Sequence, residues 1–407
     1  MNRLFFINRY FFPDHSATSQ ILSQLAFRLA ESGHDVHVIT SRQLYDDPEA
    51  RLDGLGIHRG VVIHRLVTTQ RGRSRLLGRS FDYLSFYFSA WRLLNTLADQ
   101  NDILIPMTDP PLLSILAWRV ARQRGSRVIN WLQDVYPEVA TELGVRFIKG
   151  PVSKLLTLAR NASLRSANVN VVVGTRMAQK LSQLGVPSDR INVIPNWCDD
   201  EAIIPVGNDT NPLRAEWHLQ DKFVVGYSGN LGRAHEFETI LAAAKRLKNS
   251  PDIVFLLIGG GHGNADLARR VQEAGLSDQF RFLPYQGDEI LKYSLSVPDV
   301  HWVSLRPQLE GLIVPSKVYG IAAAGRPIIA VTAKDGEIAR LVEAHDCGLI
   351  VEPGNSDEMA TAILLLSTKD EARIGKGLRA RAMLDAEFTR RHAFRRWEDV
   401  VDALVEQ

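Results

Sequence analysis

A chain of 407 residues, 45% hydrophobic and 23% charged, has the length for two or three domains and the composition of a soluble globular protein. No apolar run reaches the roughly 18 to 20 residues that a bilayer crossing needs, and the run at residues 4–7 is too short for a signal peptide. The net charge of +2 conceals a split, with 24 Lys+Arg against 17 Asp+Glu in residues 1–200 and 24 against 29 thereafter, so the first half is the one suited to an anionic partner.

Along the chain, short apolar runs alternate with helical patterns. Residues 4–8 predict a strand, 19–32 a helix stopped by Gly33, and 36–40 the next strand. The segment 71–91 opens on Arg71, carries Arg73, Arg75 and Arg79, and passes into an aromatic-rich helical stretch closed by Trp91. Such a segment suits either an anionic membrane surface or a buried helix behind a solvated loop. No nucleic-acid partner is expected, because the basic excess is modest and no recognised DNA- or RNA-binding motif accompanies it. Further strands are predicted at 103–106, 128–131 and 170–173.

The pattern restarts after Ile194-Pro195-Asn196, and the polar, proline-containing stretch 205–212 reads as a connector. Strands follow at 223–228, 254–258, 281–283, 300–303, 328–331 and 349–351, with helices at 236–248 and 265–274 between the first of them. The expectation is an α/β fold of two doubly wound parallel-sheet domains, residues 1–199 and 200–387, facing each other across a cleft. A final helix within 388–407 is expected to cross back over the first domain. Cys198 and Cys347 lie far apart with no metal-ligand spacing around them, which fits a reducing, cytoplasmic compartment.

Polar residues gather where strands end, the place at which open parallel sheets bind ligands. After the first strand, His15, Ser16 and Thr18 can point polar groups into a site, or the hydroxyls can cap the helix that follows. After the strand at 128–131, Asp134 and Glu138 can orient an acceptor hydroxyl or receive its proton, with a capping aspartate as the alternative. In the second half Gly229, Asn230 and Gly232 follow a strand, where glycines let backbone amides approach an oxyanion, and Arg233 adds a charged fork. Their spacing is neither the dinucleotide fingerprint nor a P-loop, and a plain turn remains open. Gly260 permits the same close approach after the next strand.

The segment 309–327 is the richest. Glu310 shares a loop with Gly311, and Ser316 and Lys317 open a helix predicted to run through Ala324 and to stop at Gly325 and Pro327. A carboxylate suits sugar hydroxyls, while Ser316, Lys317 and the first-turn amides suit a diphosphate; an ordinary loop and surface helix is the alternative. A ligand that presents both faces is a nucleotide sugar. No Asp-x-Asp occurs in the sequence, so no metal site is expected, and no cofactor beyond the nucleotide-sugar substrate.

Taken in order, Gly33-His34-Asp35-Val36, Gln133-Asp134-Val135-Tyr136-Pro137-Glu138, Ile194-Pro195-Asn196, Gly229-Asn230-Leu231-Gly232-Arg233, the Gly259-Gly260-Gly261 loop, Pro315-Ser316-Lys317 and Gly336-Glu337-Ile338 resemble the retaining GT-B glycosyltransferases of family 4. The branch most similar is that of bacterial exopolysaccharide and O-antigen pathways, of the colanic-acid type. The resemblance implies that Glu310 meets the donor sugar, that the glycine loop with Arg233 and Lys317 holds the diphosphate, and that Pro284 and its neighbours meet the base. It further implies a UDP- or GDP-sugar donor, a glycan or polyprenyl-linked acceptor, retention of configuration, and action without metal at the cytoplasmic membrane face. The sequence departs from that family in two places. Val318 stands where the family carries a second glutamate, and Ser16-Ala17 replaces its glycine pair. The rivals are a nucleotide-sugar epimerase on the same scaffold and a non-catalytic nucleotide-sugar-binding subunit. An NAD oxidoreductase is disfavoured by the absence of the dinucleotide glycine spacing after either first strand.

Overall fold

The computed structural model describes residues 2–47, 49–69, 76–145 and 151–406. The chain divides into two compact units, one holding residues up to Pro195 and again from Phe394, the other running from Asn196 to Ala393. Arg71, Arg73 and Arg75 of the expected basic segment lie outside the described residues.

In the first unit, apolar runs form strands β1 (Arg3–Ile7), β2 (Asp35–Ser41), β3 (Leu55–His58), β4 (Val61–Leu66), β5 (Ile103–Pro106), β6 (Arg127–Leu132), β7 (Val169–Val172) and β8 (Ile191–Val193). Their spatial order is β3-β4-β2-β1-β5-β6-β7-β8. Phe5, Ile7 and Leu104 pack from the sheet against Phe86, Leu94, Leu116 and Val120 of the covering helices. The second unit carries β9 (Phe223–Asn230), β10 (Ile253–Gly260), β11 (Phe280–Leu283), β12 (Val300–Ser304), β13 (Ile328–Val331) and β14 (Gly348–Val351), ordered β11-β10-β9-β12-β13-β14. Its core joins Phe255, Tyr227 and Trp302 to Ile240, Leu267 and Ile363.

Both sheets reverse their winding once, between β1 and β5 in the first unit and between β9 and β12 in the second. Loops at the carboxyl ends of those strands diverge to opposite faces and leave a crevice, which is where sheets of this class take ligands. The residues that follow β9 and β12 include Leu231, Arg233, Glu310 and Gly311; those that follow β1 and β5 include Asp14, His15 and Asp109.

The parallel reading needs one correction. Strand β3 runs antiparallel to β4, joined by the two-residue turn Arg59-Gly60, both with positive φ (48° and 80°). That turn twists with the strands it joins, so a hairpin forms at the sheet edge where a crossover helix has no room. The stretch read as a connector is also docked rather than loose. Asn208 Nδ2 donates to Asp299 at 2.7 Å, and Arg326 Nη2 donates to the Val206 carbonyl at 2.9 Å. Asp299 further receives the Val224 amide at 2.8 Å and pairs with buried Arg214 at 3.3 Å, so both charges are compensated inside the unit.

The last helix, Arg390–Val405, begins in the second unit and lies mostly in the first. There the fully buried Trp397 packs on Trp131 of β6 with ring centroids 4.7 Å apart, while Glu398 binds Arg28 at 2.8 Å and the Val405 carbonyl accepts from Asn2. Trp397→Ala is expected to cost about 3–5 kcal/mol, the range for emptying an aromatic site, read as a lower urea midpoint by circular dichroism.

Candidate functional site

At the reversal point of the second unit, the end of β9 bends through Gly229 (φ +118°), a conformation that favours glycine. A Cβ placed there would stand 2.9 Å from Lys317 Cε, so the absent side chain is what lets the lysine lie beneath the strand end. Gly261 repeats the device: a Cβ would meet Asn230 Oδ1 at 2.1 Å and the Leu231 carbonyl at 2.7 Å. The Leu231 amide donates to the Gly260 carbonyl at 2.7 Å, which stitches the two glycine loops together. Gly232 and the exposed Arg233 continue the first loop. Exposed Pro284 follows β11, and the neighbouring Tyr285 ring covers Gly260.

Lys317 is largely buried at the start of the helix Lys317–Ala323. Among the described residues no carboxylate pairs with its ammonium. Nζ lies 3.2 Å from His235 Nε2 and 5.3 Å from the centroid of the Tyr227 ring. Burial alone pulls its pKa down from 10.5 to about 8. His235 Nδ1 sits 2.6 Å from the Ser304 carbonyl, an acceptor only, so Nδ1 carries the proton and Nε2 presents a lone pair to the lysine. Burial and the lysine's charge together hold the imidazole pKa at about 3, so the ring is neutral. His235 was not among the residues singled out from sequence, although its place two residues beyond Arg233 on the glycine loop was a usable signal.

Glu310 closes a 3₁₀ turn just before Gly311 (φ +74°). Its carboxylate accepts from the Thr332 hydroxyl and, at 3.2 Å, from the Glu337 amide. Gly336, the N-cap of the helix Glu337–His345, has no side chain to offer, and Glu310 supplies the capping oxygen from a distant loop. A Cβ on Gly336 would collide with that carboxylate at 2.3 Å. Ser316 precedes its helix without a side-chain cap bond.

In the first unit, the loop after β1 is organised by Asp14. This buried carboxylate accepts from the Ser16 amide at 2.8 Å, the Ser16 hydroxyl and the Tyr45 amide, while the Asp14 carbonyl receives the Ser19 hydroxyl at 3.1 Å. Ser16 is therefore the N-cap residue of the helix Ala17–Glu31 but makes no cap bond, its hydroxyl being turned to Asp14. His15 is exposed and Thr18 half-buried on the first turn. Asp134 lies two residues past β6, where burial, with a contribution from Asp109, raises its pKa to about 7. Glu138 is bound by the buried Arg160, whose Nη1 also donates to the Tyr136 carbonyl at 2.6 Å. Asp14 and Asp109 were missed from sequence, since a lone loop aspartate carries no spacing signal.

The folded state resists charging Lys317, so that cost is fully present below pH 8 and fades as pH rises toward 10.5. Lys317→Met is expected to unfold about 3 kcal/mol later than the wild type near pH 7, with the gap closing between pH 8 and 10.5 in urea titrations.

Two family models account for most of the chain: a glycosyl transferase 4-like domain matches residues 17–197, and glycosyl transferases group 1 matches residues 209–381. The chain is similar to the probable glycosyltransferase WbjE of Pseudomonas aeruginosa, at 29% identity over 74% of this chain and 75% of that protein. It is also similar to the putative colanic acid biosynthesis glycosyl transferase WcaI of Escherichia coli, at 27% identity over 60% and 61%. Among solved structures, Anabaena HepE in complex with UDP-glucose superposes with a TM-score of 0.73 at 15% identity, covering 98% of this chain and 99% of that one. Domain models in order, glycosyltransferase relatives and two Rossmann-like units agree, and the chain belongs to the GT-B glycosyltransferases of family 4.

Proposed function

We propose that this glycosyltransferase moves a sugar from a UDP- or GDP-sugar to a hydroxyl of a glycan or polyprenyl-linked acceptor, with retention at the anomeric carbon, in bacterial surface polysaccharide assembly. The observation that carries the donor reading is Lys317. An ammonium that is buried, lacks a carboxylate and lies under two glycine-bearing strand ends is poised for a polyanion. The uridine form draws support from the UDP-glucose complex of the similarly folded HepE.

As the bond from the anomeric carbon to the diphosphate oxygen loosens, negative charge grows on the leaving group. Lys317 and Arg233 neutralise it, with the backbone around Gly229, Asn230 and Gly232 admitting the phosphates closely. His235 keeps the ammonium aimed without competing as a base, because its lone pair is an acceptor of fixed tautomer. Glu310, fixed by Thr332 and the Glu337 amide, holds the sugar hydroxyls, and Gly260, Pro284, Gly311 and Ser316 complete the donor side. On the acceptor side His15, Ser16, Thr18 and Glu138 shape the approach. Asp134 titrates near pH 7, the range in which a carboxylate can take up the acceptor proton as the new bond forms.

A protein cation does the work of a divalent ion in this scheme, so turnover is expected to survive EDTA; inactivation reversed by manganese contradicts it. Lys317→Ala and Glu310→Ala are each expected to lower kcat by about 10² or more, the scale for one lost transition-state donor, and near wild-type rates for both remove the assignment. Thermal-shift measurements across UDP-, GDP- and other nucleotide sugars should single out one donor by a raised Tm, and that rise should shrink in Lys317→Ala.

A further inference from the structure

Two arginines of the first unit stand side by side without a counter-charge. Thr40 of β2 pairs with Arg65 of β4, so Arg42, two residues past Thr40, emerges on the same face of the sheet as Arg65. Both side chains are half-buried, and both reach the backbone of residues 53–56. A Cβ on Gly54 would fall 2.3 Å from Arg42 Nη2, so the glycine leaves the room that this guanidinium fills. Arg65 Nη1 stands 3.6 Å from where a Cβ on Gly56 would lie and donates to the Asp53 carbonyl at 3.4 Å, while Nη2 donates to the Phe12 carbonyl at 3.0 Å.

Those carbonyls aim Arg65 but do not neutralise it. Among the described residues the Arg42 side chain makes no hydrogen bond, no carboxylate pairs with either guanidinium, and the Nε of each is buried without a partner. Burial holds the Arg65 pKa below its ordinary value, and the exposed Asp53 offsets that only in part. Other arginines of this unit are matched. Arg3 meets Asp102 at 2.7 Å, Arg9 lies 3.9 Å from Asp82 of the helix Leu76–Leu97, and Arg160 of the helix Pro151–Ser166 meets Glu138 at 2.5 Å. Two neighbouring cations repel until an anion lies across both. The two oxygens of a carboxylate are filled by one guanidinium fork, whereas a phosphoryl group has oxygens for two forks and more charge to offer.

We propose that Arg42 and Arg65, at the carboxyl ends of β2 and β4, bind a phosphoryl group of the acceptor, either the diphosphate of a polyprenyl carrier or a phosphate ester on a glycan. This rests on the reading of the first unit as the acceptor side, and it is independent of Lys317, which belongs to the second unit.

The test is calorimetry on the full chain carrying Lys317→Ala, which removes the proposed donor cation, titrated with inorganic pyrophosphate, farnesyl diphosphate and glucose 1-phosphate. Pyrophosphate is expected to bind, and adding Arg42→Gln or Arg65→Lys should weaken it about tenfold or more, since the second keeps the charge but loses the fork. Tighter binding of farnesyl diphosphate assigns the site to a lipid carrier, and tighter binding of glucose 1-phosphate to a glycan phosphate. Because Arg42 makes no hydrogen bond within the fold, Arg42→Gln should leave the Tm of the free protein unchanged or raised; a lowered Tm makes the arginine structural and overturns the proposal. Arg92→Ala, at an exposed arginine of the same unit, should bind as its parent does. Failure of all three probes to bind, undiminished binding by both site variants, or equal weakening by Arg92→Ala also overturns it. The shift in Tm that a UDP- or GDP-sugar gives the wild-type chain is read separately: its absence removes the donor reading, while the calorimetry still decides whether Arg42 and Arg65 take a phosphoryl group.

Discussion

Folding strips water from the Lys317 ammonium and, among the described residues, gives it a neutral imidazole and the face of a tyrosine ring in return. Neither partner carries a charge, so the desolvation cost stands largely uncompensated until an anion arrives. Much of the local architecture follows from accommodating that cation. Gly229 leaves room beneath the strand end, the Ser304 carbonyl fixes the His235 tautomer, and the β9/β12 reversal opens the crevice above. The same fold elsewhere treats buried ions differently. Arg214 meets Asp299, and Arg160 meets Glu138, each with carbonyl oxygens filling the remaining donors. Against that background the cation without a carboxylate is what the proposed donor site rests on.

Glu310, the carboxylate proposed to hold the donor sugar, is made rigid by its surroundings. One of its two hydrogen bonds caps a helix whose own cap residue is glycine and the other comes from the Thr332 hydroxyl just past β13, so the side chain is locked by the start of Glu337–His345 and the strand end before it rather than by its own loop. Preorganisation of this kind removes the entropy of freezing a flexible glutamate at the moment of binding. The first unit repeats the principle with Asp14, which gathers the amide and hydroxyl of Ser16 in the turn after β1 and the Tyr45 amide from the loop after β2. Asp134, by contrast, is buried beside another acid and is left close to its titration point.

Much of this was legible in the sequence, and the gaps have physical causes. Strands such as β1, β5, β10 and β13 are buried on both faces and read as continuous apolar runs, and Gly33 and Gly325, both at positive φ, mark helix ends as their type suggests. The β3–β4 hairpin was not legible: its outer strand exposes Leu55 and Ile57, and its turn depends on Arg59 adopting a conformation that arginine rarely takes. Glycine loops and Lys317 announce themselves by composition, whereas the role of His235 arises from a carbonyl 69 residues away that no local pattern encodes. Periodicity revealed that residues 81–91 carry a stripe, but periodicity has no sign. Only the position of Arg160 and Asp82 in the structure tells which side of each helix faces in.

The return of the last helix to the first unit has a consequence for how the molecule is made. Trp397 arrives at Trp131 only after the 265 residues between them have been synthesised, so the earlier half waits with an open flank while the later half is still being made. The first unit is not a continuous piece of chain, so it cannot be separated from the second at a single cut. A label or a deletion placed at the carboxyl end will therefore be felt by the part of the molecule that was translated first.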